Sequence, residues 1–458
     1  MQYRENRFEK NIVILIFILG IMLSILIPTG QIPDEYTHLT MIGDSVGVKN
    51  FSDNIMKSVS IDVERLEQHY EEKIDMSQQK NILTQPPIYT RREMLPKKLS
   101  IAILKHLPAT VGIYIGIILG VPGYWVLQLG ELFALAFYAY ICYIALKLIP
   151  IKKTMMAWLM LFPMVLQQAS SINYDAVLIP MCYLYISYIL YLKYNAEEIK
   201  LNNTLILLTM WLLITYIKVP YVLLVLLVFL LPLEKVHISI GKYEVNERVI
   251  RKCMLPAIII MSVCAVLGIY FFRKVWFIQI LYGFAMEWKR GLYLLYSTGK
   301  TWTEFLFVST VGNFGWLDTP ISLNIALIVF GVVIAFALID EKKEKKCMNI
   351  KDVIVIEGTA IILCVFVTLA LVNHTIMVIL YGSEAASGTY EIREALYQIP
   401  YIGGVQGRYY LPICSLFFIP LPSPICVSIK KQNKLLNIVG IIIYIYIITV
   451  LIKRYWGV

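Results

Sequence analysis

Charged residues are scarce in this chain, and their scarcity limits the classes of protein it can belong to. Only 16% of its 458 residues are charged, whereas 59% are hydrophobic. The apolar residues come in long blocks without charge, and runs of about 18 or more such residues are typical of transmembrane helices. A soluble domain of this length has no use for so much apolar surface. The composition therefore predicts an all-α polytopic membrane protein.

The chain also lacks the cysteine patterns of metal sites and of disulfide frameworks. Its eight cysteines show no C-x-x-C spacing, and none lies in a segment that we predict to be external. The first apolar run has no small-residue cleavage site, so we expect it to remain as a span rather than to be removed as a signal peptide. No internal repeat or low-complexity linker interrupts the sequence. We therefore predict a single membrane-embedded domain over residues 1–458.

Basic residues outnumber acidic ones, 41 to 31, but this excess does not indicate nucleic-acid binding. In membrane proteins, Lys and Arg gather in cytoplasmic loops, so their positions indicate orientation instead. Met1–Lys10 carries three of them, which predicts a cytoplasmic N-terminus. The lipid bilayer is the expected partner of the apolar blocks, and no nucleic-acid partner is expected.

The positive-inside rule arranges the apolar blocks into about 11 spans. The decisive segment is Leu205–Leu231, which is too long for one upright helix and is interrupted by Lys218 and Pro220. If it forms two short spans, the later basic loops stay cytoplasmic. The other predicted spans are Asn11–Ile27, Tyr124–Leu148, Thr154–Ala169, Ala176–Leu192, Met254–Phe271, Ile321–Ile339, Val353–Leu371, Tyr409–Val427 and Leu436–Ile452.

This topology leaves three long external loops, at residues 29–120, 273–319 and 373–407. The first is predicted to carry interfacial helices. One of them is Leu99–Gly120, which is apolar but broken by charged residues and a proline. The polar motifs of the chain then all lie at the same outer surface.

The acidic stretch Gln31–Thr40 follows the first span directly. Pro33 favours a helix start, and Asp34 and His38 then stand at i and i+4 on one face. With Glu35 they are the candidate catalytic residues. A capped interfacial helix is the alternative interpretation. Asp34 and His38 also suit a divalent cation, although two ligands of mixed type are a weak signal.

The remaining polar segments that we predict to be external combine cations, carboxylates, amides and aromatic rings. Lys218, in the turn between two short spans, and Arg408 suit the phosphate of a lipid, while a carboxylate deprotonates an attacking hydroxyl. The alternatives are an interfacial snorkelling role for Arg408, a simple turn at 173–175 and an aromatic-belt anchor at 315–318. The candidate residues lining a sugar or acceptor site are Asn173, Asp175, Trp316, Asp318, Gln406 and Tyr409.

Five motifs occur in a fixed order along nearly the whole chain, and together they carry a resemblance. They are Pro33-Asp34-Glu35-x-x-His38, Gln85-Pro86-Pro87, Asn173-Tyr174-Asp175, Gly315-Trp316-Leu317-Asp318 and Gln406-Gly407-Arg408-Tyr409. This pattern resembles a bacterial family of multi-span membrane proteins of unassigned function, grouped with the GT-C glycosyltransferases.

The resemblance implies a GT-C-like fold and a polyprenyl-phosphate-linked sugar as donor. It implies that Asp34 is the essential acid near the acceptor, with Glu35 and His38 beside it. Relatives are expected to carry a basic residue where this chain has Glu131, so the phosphate contact is assigned to Lys218 and Arg408.

The expected activity is transfer of a sugar from the polyprenyl-phosphate carrier to an extracytoplasmic cell-envelope glycan or lipid at a bacterial plasma membrane. A transporter or flippase for a lipid-linked saccharide is the first alternative, although the chain lacks the paired half-repeats common in transporters. A non-catalytic binder of lipid-linked saccharide is the second.

Overall fold

The computed structural model of this protein describes residues 2–59, 83–240, 243–253, 275–341, 348–381 and 392–457, together with the single positions 256 and 271. Apart from positions 256 and 271, the predicted span Met254–Phe271 therefore lies outside the described residues, as does the whole basic block at 342–346. The described chain is mostly helical, as predicted.

The α-helices, numbered in chain order, begin and end as follows: α1 Gln2–Leu26, α2 Glu35–Val46, α3 Phe51–Lys57, α4 Arg91–Met94, α5 Leu107–Leu119, α6 Gly123–Leu148, α7 Lys153–Met160, α8 Pro163–Ala169, α9 Asp175–Tyr194, α10 Leu201–Ile217, α11 Trp276–Met286, α12 Trp288–Val311, α13 Leu323–Ala337, α14 Ile350–Leu369, α15 Val372–Tyr381, α16 Ile392–Gln398 and α17 Ile429–Tyr455.

Short strands and 3-10 helices complete the described fold. Three two-stranded sheets pair β1 (His237–Ile240) with β2 (Tyr243–Asn246), β3 (Asn313–Phe314) with β4 (Thr319–Pro320), and β5 (Ile339–Asp340) with β6 (Ile425–Cys426); the last pair is parallel. The 3-10 helices are Ile101–Lys105, Val219–Leu230, Leu233–Lys235 and Gly407–Phe417.

Five described segments are long and apolar enough to cross a membrane, and each overlaps a predicted span. They are Arg7–Leu26, Gly123–Leu148, Asp175–Tyr194, Ile350–Leu380 and Ile429–Tyr455. The multi-pass helical character predicted from composition is thus supported. The larger total of about 11 spans stays a prediction based on the distribution of charge.

Two predicted spans differ from the structure, and proline explains both differences. Thr154–Ala169 is divided into α7 and α8, because Pro163 starts a new helix instead of continuing the first one. Tyr409–Val427 is not an α-helix. The chain there forms the 3-10 helix Gly407–Phe417 with Pro412 inside it, and then the short strand β6.

The break predicted at Lys218 is present. Helix α10 ends at Ile217, Lys218 adopts an extended conformation with φ −149°, and the 3-10 helix Val219–Leu230 packs back against α10. Pro220 supplies no backbone N–H and disfavours an α-helical residue before it, so the α-helix cannot run through this point.

The predicted interfacial helix Leu99–Gly120 is also interrupted where its polar residues fall. The 3-10 helix Ile101–Lys105 precedes α5, and His106 with its neighbour Pro108 marks the boundary. Helix α5 packs closely on α6 because Gly112 has no side chain there; a Cβ at Gly112 would collide with the backbone of Leu129.

The chain divides into two compact units. The first unit comprises Met1–Tyr188, Phe307–Cys347 and Leu411–Val458, and the second comprises Ile189–Leu306 and Met348–Tyr410. The core of the first unit includes Leu39, Phe51, Ile113, Leu127 and Ile172. The core of the second includes Ile280, Leu294, Val372, Ile376, Leu396 and Ile402.

Candidate functional site

The acidic motif places its three polar side chains in different environments. Asp34 is the N-cap of α2 and has a left-handed backbone, with φ 67°; Asp and Asn tolerate this conformation better than most residues. Its side chain is exposed, whereas Glu35 and His38 are buried in the first turns of the helix. The helix therefore begins at Glu35, one residue after Asp34, and the backbone N–H of His38 donates to the carbonyl oxygen of Asp34 at 2.9 Å.

Glu35 is held by the loop that precedes α2. Its Oε2 accepts a hydrogen bond of 2.8 Å from the backbone N–H of Gly30. Its Oε1 is buried and accepts no hydrogen bond from the described residues. Burial raises the pKa of Glu35 from its ordinary 4.5 to about 7, although the Gly30 bond opposes this change. The carboxyl group is therefore divided between its two protonation states near neutral pH.

A second buried carboxyl group, that of Glu131 in α6, interacts electrostatically with Glu35. Oε2 of Glu131 accepts hydrogen bonds from Ser24 Oγ at 2.6 Å and from Gln128 Nε2 at 3.0 Å. Sequence reasoning noted Glu131 but did not place it beside the acidic motif. The two positions are far apart in the chain, and only the packing of α6 against α1 brings them together.

His38 belongs to a group of rings under the motif. Its Nδ1 lies 2.9 Å from Nε2 of His106, so one of the two nitrogens donates to the other. The ring of Tyr174 meets that of His38 edge-on, with centroids 4.8 Å apart. Burial, with the nearby charge of Lys105, lowers the pKa of His106 to about 4. His106 is therefore uncharged at neutral pH, and one neutral imidazole can donate its N–H to the unprotonated nitrogen of the other.

The turn at residues 173–175 is closed by the Asn173 side chain. Its Oδ1 accepts from the N–H of Ala176, and its Nδ2 donates to Gln168 and Ser171. These bonds commit Asn173 to holding the turn together. Asp175 starts α9 and is buried; its Oδ1 receives no hydrogen bond from any described group.

The motif Gly315-Trp316-Leu317-Asp318 forms the four-residue loop of the β3–β4 hairpin, in which Phe314 pairs with Thr319. Gly315 and Leu317 both have positive φ, 61° and 63°. Positive φ is costly for a branched residue such as leucine, and strain of this kind often marks functional segments. The indole N–H of Trp316 donates a bond of 2.9 Å to the carbonyl oxygen of Gly30. The hairpin therefore meets the acidic motif through one glycine.

Asp318 forms an ion pair with Arg454 near the end of α17. The side chain of Arg454 is only 7% exposed and that of Asp318 20% exposed, so the pair is largely buried. Gly315 lies against the hydroxyl group of Tyr455, the residue that follows Arg454, and a Cβ atom at position 315 would collide with that hydroxyl. The space beside Gly315 is thus filled by a side chain of the protein itself. Sequence reasoning missed Arg454, whose only signal was a charge at the end of a predicted span.

Lys218, Arg408, Gln406 and Tyr409 lie together in the second unit. The Lys218 ammonium is 4.4 Å from the centroid of the Tyr409 ring, and the Arg408 guanidinium is 5.3 Å from it. The Tyr221 hydroxyl donates to the carbonyl oxygen of Tyr409 and so holds this segment against the 3-10 helix. Two cations on one aromatic ring suit an anionic group.

The predicted site residues thus fall into two sets, each assembled within its own unit. The first unit brings together Glu35, His38 and Trp316 with the 173–175 turn, and the second unit brings together both predicted phosphate-binding cations. Among the described residues, no group of three or more His, Cys, Asp or Glu side chains is placed to hold a metal ion. A divalent cation at Asp34 stays a prediction.

The helical architecture and the apolar segments define the chain as a multi-pass membrane protein. More specifically, the chain belongs to the family described as "Predicted membrane protein (DUF2142)", whose model matches residues 17–417. That span includes all five motifs and ends before Arg454. Comparison with curated proteins and with solved structures found no significant match.

Proposed function

We propose that the protein is a membrane-embedded glycosyltransferase of a bacterial plasma membrane. It moves a sugar from a polyprenyl phosphate carrier to an extracytoplasmic glycan or lipid of the cell envelope. The observation that supports this best is the exposed carboxylate of Asp34 next to the buried carboxyl group of Glu35. Gly30 connects Glu35 to an aromatic side chain, because it donates a hydrogen bond to Glu35 and accepts one from Trp316. An exposed acid suits proton transfer, and an aromatic platform suits a sugar ring.

In the proposed reaction, Asp34 accepts the proton of the acceptor hydroxyl. The oxygen of that hydroxyl forms a bond to the anomeric carbon of the sugar at the same time. The bond from that carbon to the phosphate oxygen breaks, and its electron pair leaves with the polyprenyl phosphate. A single displacement inverts the anomeric carbon. Glu35 is assigned to holding the motif in place through Gly30, because its carboxyl group is buried and bonded there.

Lys218 and Arg408 are proposed to bind the phosphate of the carrier. Lys218 and Arg408 supply positive charge beside Tyr409, and charge-assisted bonds to phosphate are about twice as strong as neutral ones. Lys218 lies half-buried at the helix break, and its ammonium shares the Tyr409 ring with the Arg408 guanidinium, an arrangement that suits an anionic ligand.

The test is glycosyl transfer by the purified protein in lipid nanodiscs, with polyprenyl-phosphate-linked glucose, mannose and galactose as donors and cell-envelope polysaccharide and lipid as acceptors. Asp34→Asn keeps the left-handed backbone, since Asn tolerates it as well as Asp does. We expect transfer to fall by about a hundred- to ten-thousand-fold while the abundance of the protein is unchanged. Glu35→Gln should have a milder effect, because its amide oxygen still accepts the Gly30 bond.

Full transfer in Asp34→Asn would contradict the assigned role of Asp34. Movement of lipid-linked saccharide across vesicles without any transfer would support the transporter alternative instead. Binding of the carrier with neither activity would support the non-catalytic binder.

A further inference from the structure

Among the uncharged polar side chains of the first unit that are buried with hydrogen-bonding atoms no described residue satisfies, four lie near the acidic motif. They are Thr29, Gln31, Gln167 and Asn313, each at most 4% exposed. The unsatisfied atoms are Thr29 Oγ1, both amide atoms of Gln31, both of Gln167, and Asn313 Oδ1. A buried polar atom without a partner costs about 1–3 kcal/mol. Four such side chains in one unit therefore call for a partner from outside the chain.

These side chains lie on elements that contact one another. Thr29 and Gln31 flank Gly30, the glycine bonded by the indole of the β3–β4 hairpin. Asn313 is the first residue of that hairpin. Gln167 lies in α8, which packs against both α1 and β3. The four positions are thus gathered around the junction between the acidic motif and the hairpin.

We infer that Thr29, Gln31, Gln167 and Asn313 bind the uncharged, hydroxyl-rich ring of the sugar that is transferred. This inference rests on the proposed function and names the substrate class of the same site. Each hydroxyl group of a sugar both donates and accepts a hydrogen bond, and a primary amide also offers both kinds of group. The side-chain amides of Gln31 and Gln167 can therefore donate to and accept from the hydroxyl groups of the ring, and no charged side chain is needed for these bonds.

The charged groups of this region argue against an anionic sugar. Glu35 and Asp175 are acidic, and the charge of Arg454 is neutralised by its ion pair with Asp318. The region is therefore negative on balance. A uronic acid, which carries a carboxylate on its ring, would place a further negative charge beside these carboxylates at a cost.

Two adjacent glutamines in α8 provide a matched test. Gln167 and Gln168 are both 1% exposed. Gln168 Oε1 accepts from Asn173 at 3.1 Å, whereas both amide atoms of Gln167 have no partner among the described residues. Without ligand, Gln167→Leu should leave the melting temperature unchanged or raise it, because an unsatisfied amide is removed. Gln168→Leu should lower it.

Ligand binding is measured with octyl β-D-glucopyranoside and octyl β-D-glucuronide, each below its critical micelle concentration, on the protein in lipid nanodiscs. We expect the glucoside to bind at least about tenfold more tightly than the glucuronide. Gln167→Leu and Gln31→Leu should each lower its affinity by about tenfold, as expected for the loss of one or two hydrogen bonds.

The outcomes separate this inference from the proposed function. Loss of glucoside binding in Gln167→Leu would support the sugar site even if no transfer is found. Equal destabilisation by Gln167→Leu and Gln168→Leu, or unchanged glucoside affinity in Gln167→Leu, would overturn the sugar site even if transfer is found. Tighter binding of the glucuronide would overturn the preference for a neutral ring.

Discussion

The indole N–H of Trp316 donates a hydrogen bond to the carbonyl oxygen of Gly30, 286 positions earlier in the chain. The N–H of the same glycine donates to the carboxylate of Glu35. Both polar groups of one residue are therefore used to join two motifs. A partly buried hydrogen bond such as that of Trp316 contributes about 1 kcal/mol on its own, so its larger effect is on geometry.

Replacement of Trp316 tests this junction. Trp316→Phe removes the N–H and keeps a ring, so we expect a loss of about 1 kcal/mol of stability and a clear fall in glycosyl transfer. Trp125→Phe is the control: its indole N–H bonds the carbonyl oxygen of Leu83 at 3.2 Å, but its side chain is exposed. Thermal unfolding and transfer are measured for both. Equal effects of the two changes would argue against a special role for the Gly30 bond.

Glu35 should make stability depend on pH. Its pKa is about 7 in the folded protein against an ordinary 4.5, so the folded state keeps a proton that the unfolded chain has released. Stability from this residue therefore falls as pH rises from about 4.5 to about 7 and is level above that, with a total change on the order of 3 kcal/mol. The difference in melting temperature between the wild type and Glu35→Gln should shrink or reverse over this window. Parallel curves from pH 5 to pH 8 would contradict the raised pKa.

Variants of the Asp318–Arg454 ion pair distinguish a structural role of Asp318 from a role in sugar binding. Arg454→Met leaves a largely buried carboxylate without its partner and should cost about 3 kcal/mol or more, whereas Asp318→Leu combined with Arg454→Met should recover most of that loss. Stability and transfer are measured for the single and double variants. If the double variant recovers stability but not transfer, Asp318 acts on the substrate; if both recover, its role is to hold the hairpin.

Lys218 should contribute to binding of the carrier phosphate. We expect Lys218→Met to lower the affinity for polyprenyl phosphate by about ten- to a hundredfold, and Lys218→Arg to keep part of it, because a charged hydrogen bond is lost in the first and only altered in the second. Lys289→Met is the control. Lys289 also lies against an aromatic ring, that of Trp288, but is exposed. Unchanged affinity in Lys218→Met would leave the lysine with a purely interfacial role.

The sequence predicted features with local causes. The helix break at Lys218 follows from Pro220, and the start of α2 close to Pro33 follows from the acidic residues after it. The distinction between Asp34, which is exposed, and Glu35, which is buried, was not predicted. Both are acids in the same turn, and only the surrounding helices decide which of them is excluded from water.

Contacts between distant segments were beyond sequence reasoning. The pairs Glu35–Glu131 and Asp318–Arg454 depend on helix packing, and no local pattern marks either pair. The hairpin at Leu317 was missed for another reason. A leucine with positive φ contradicts the usual preference of that residue, so local propensity gives no sign of the turn that forms here.

The position of Arg454 also has a consequence for how the protein is made. The ribosome adds Asp318 136 residues before it adds Arg454. During that interval helices α13 to α16 are synthesised while the aspartate still lacks the ion pair of the finished fold. The hairpin therefore acquires its final support only after α17 emerges, which makes its assembly a late event in biogenesis, although its sequence is read much earlier.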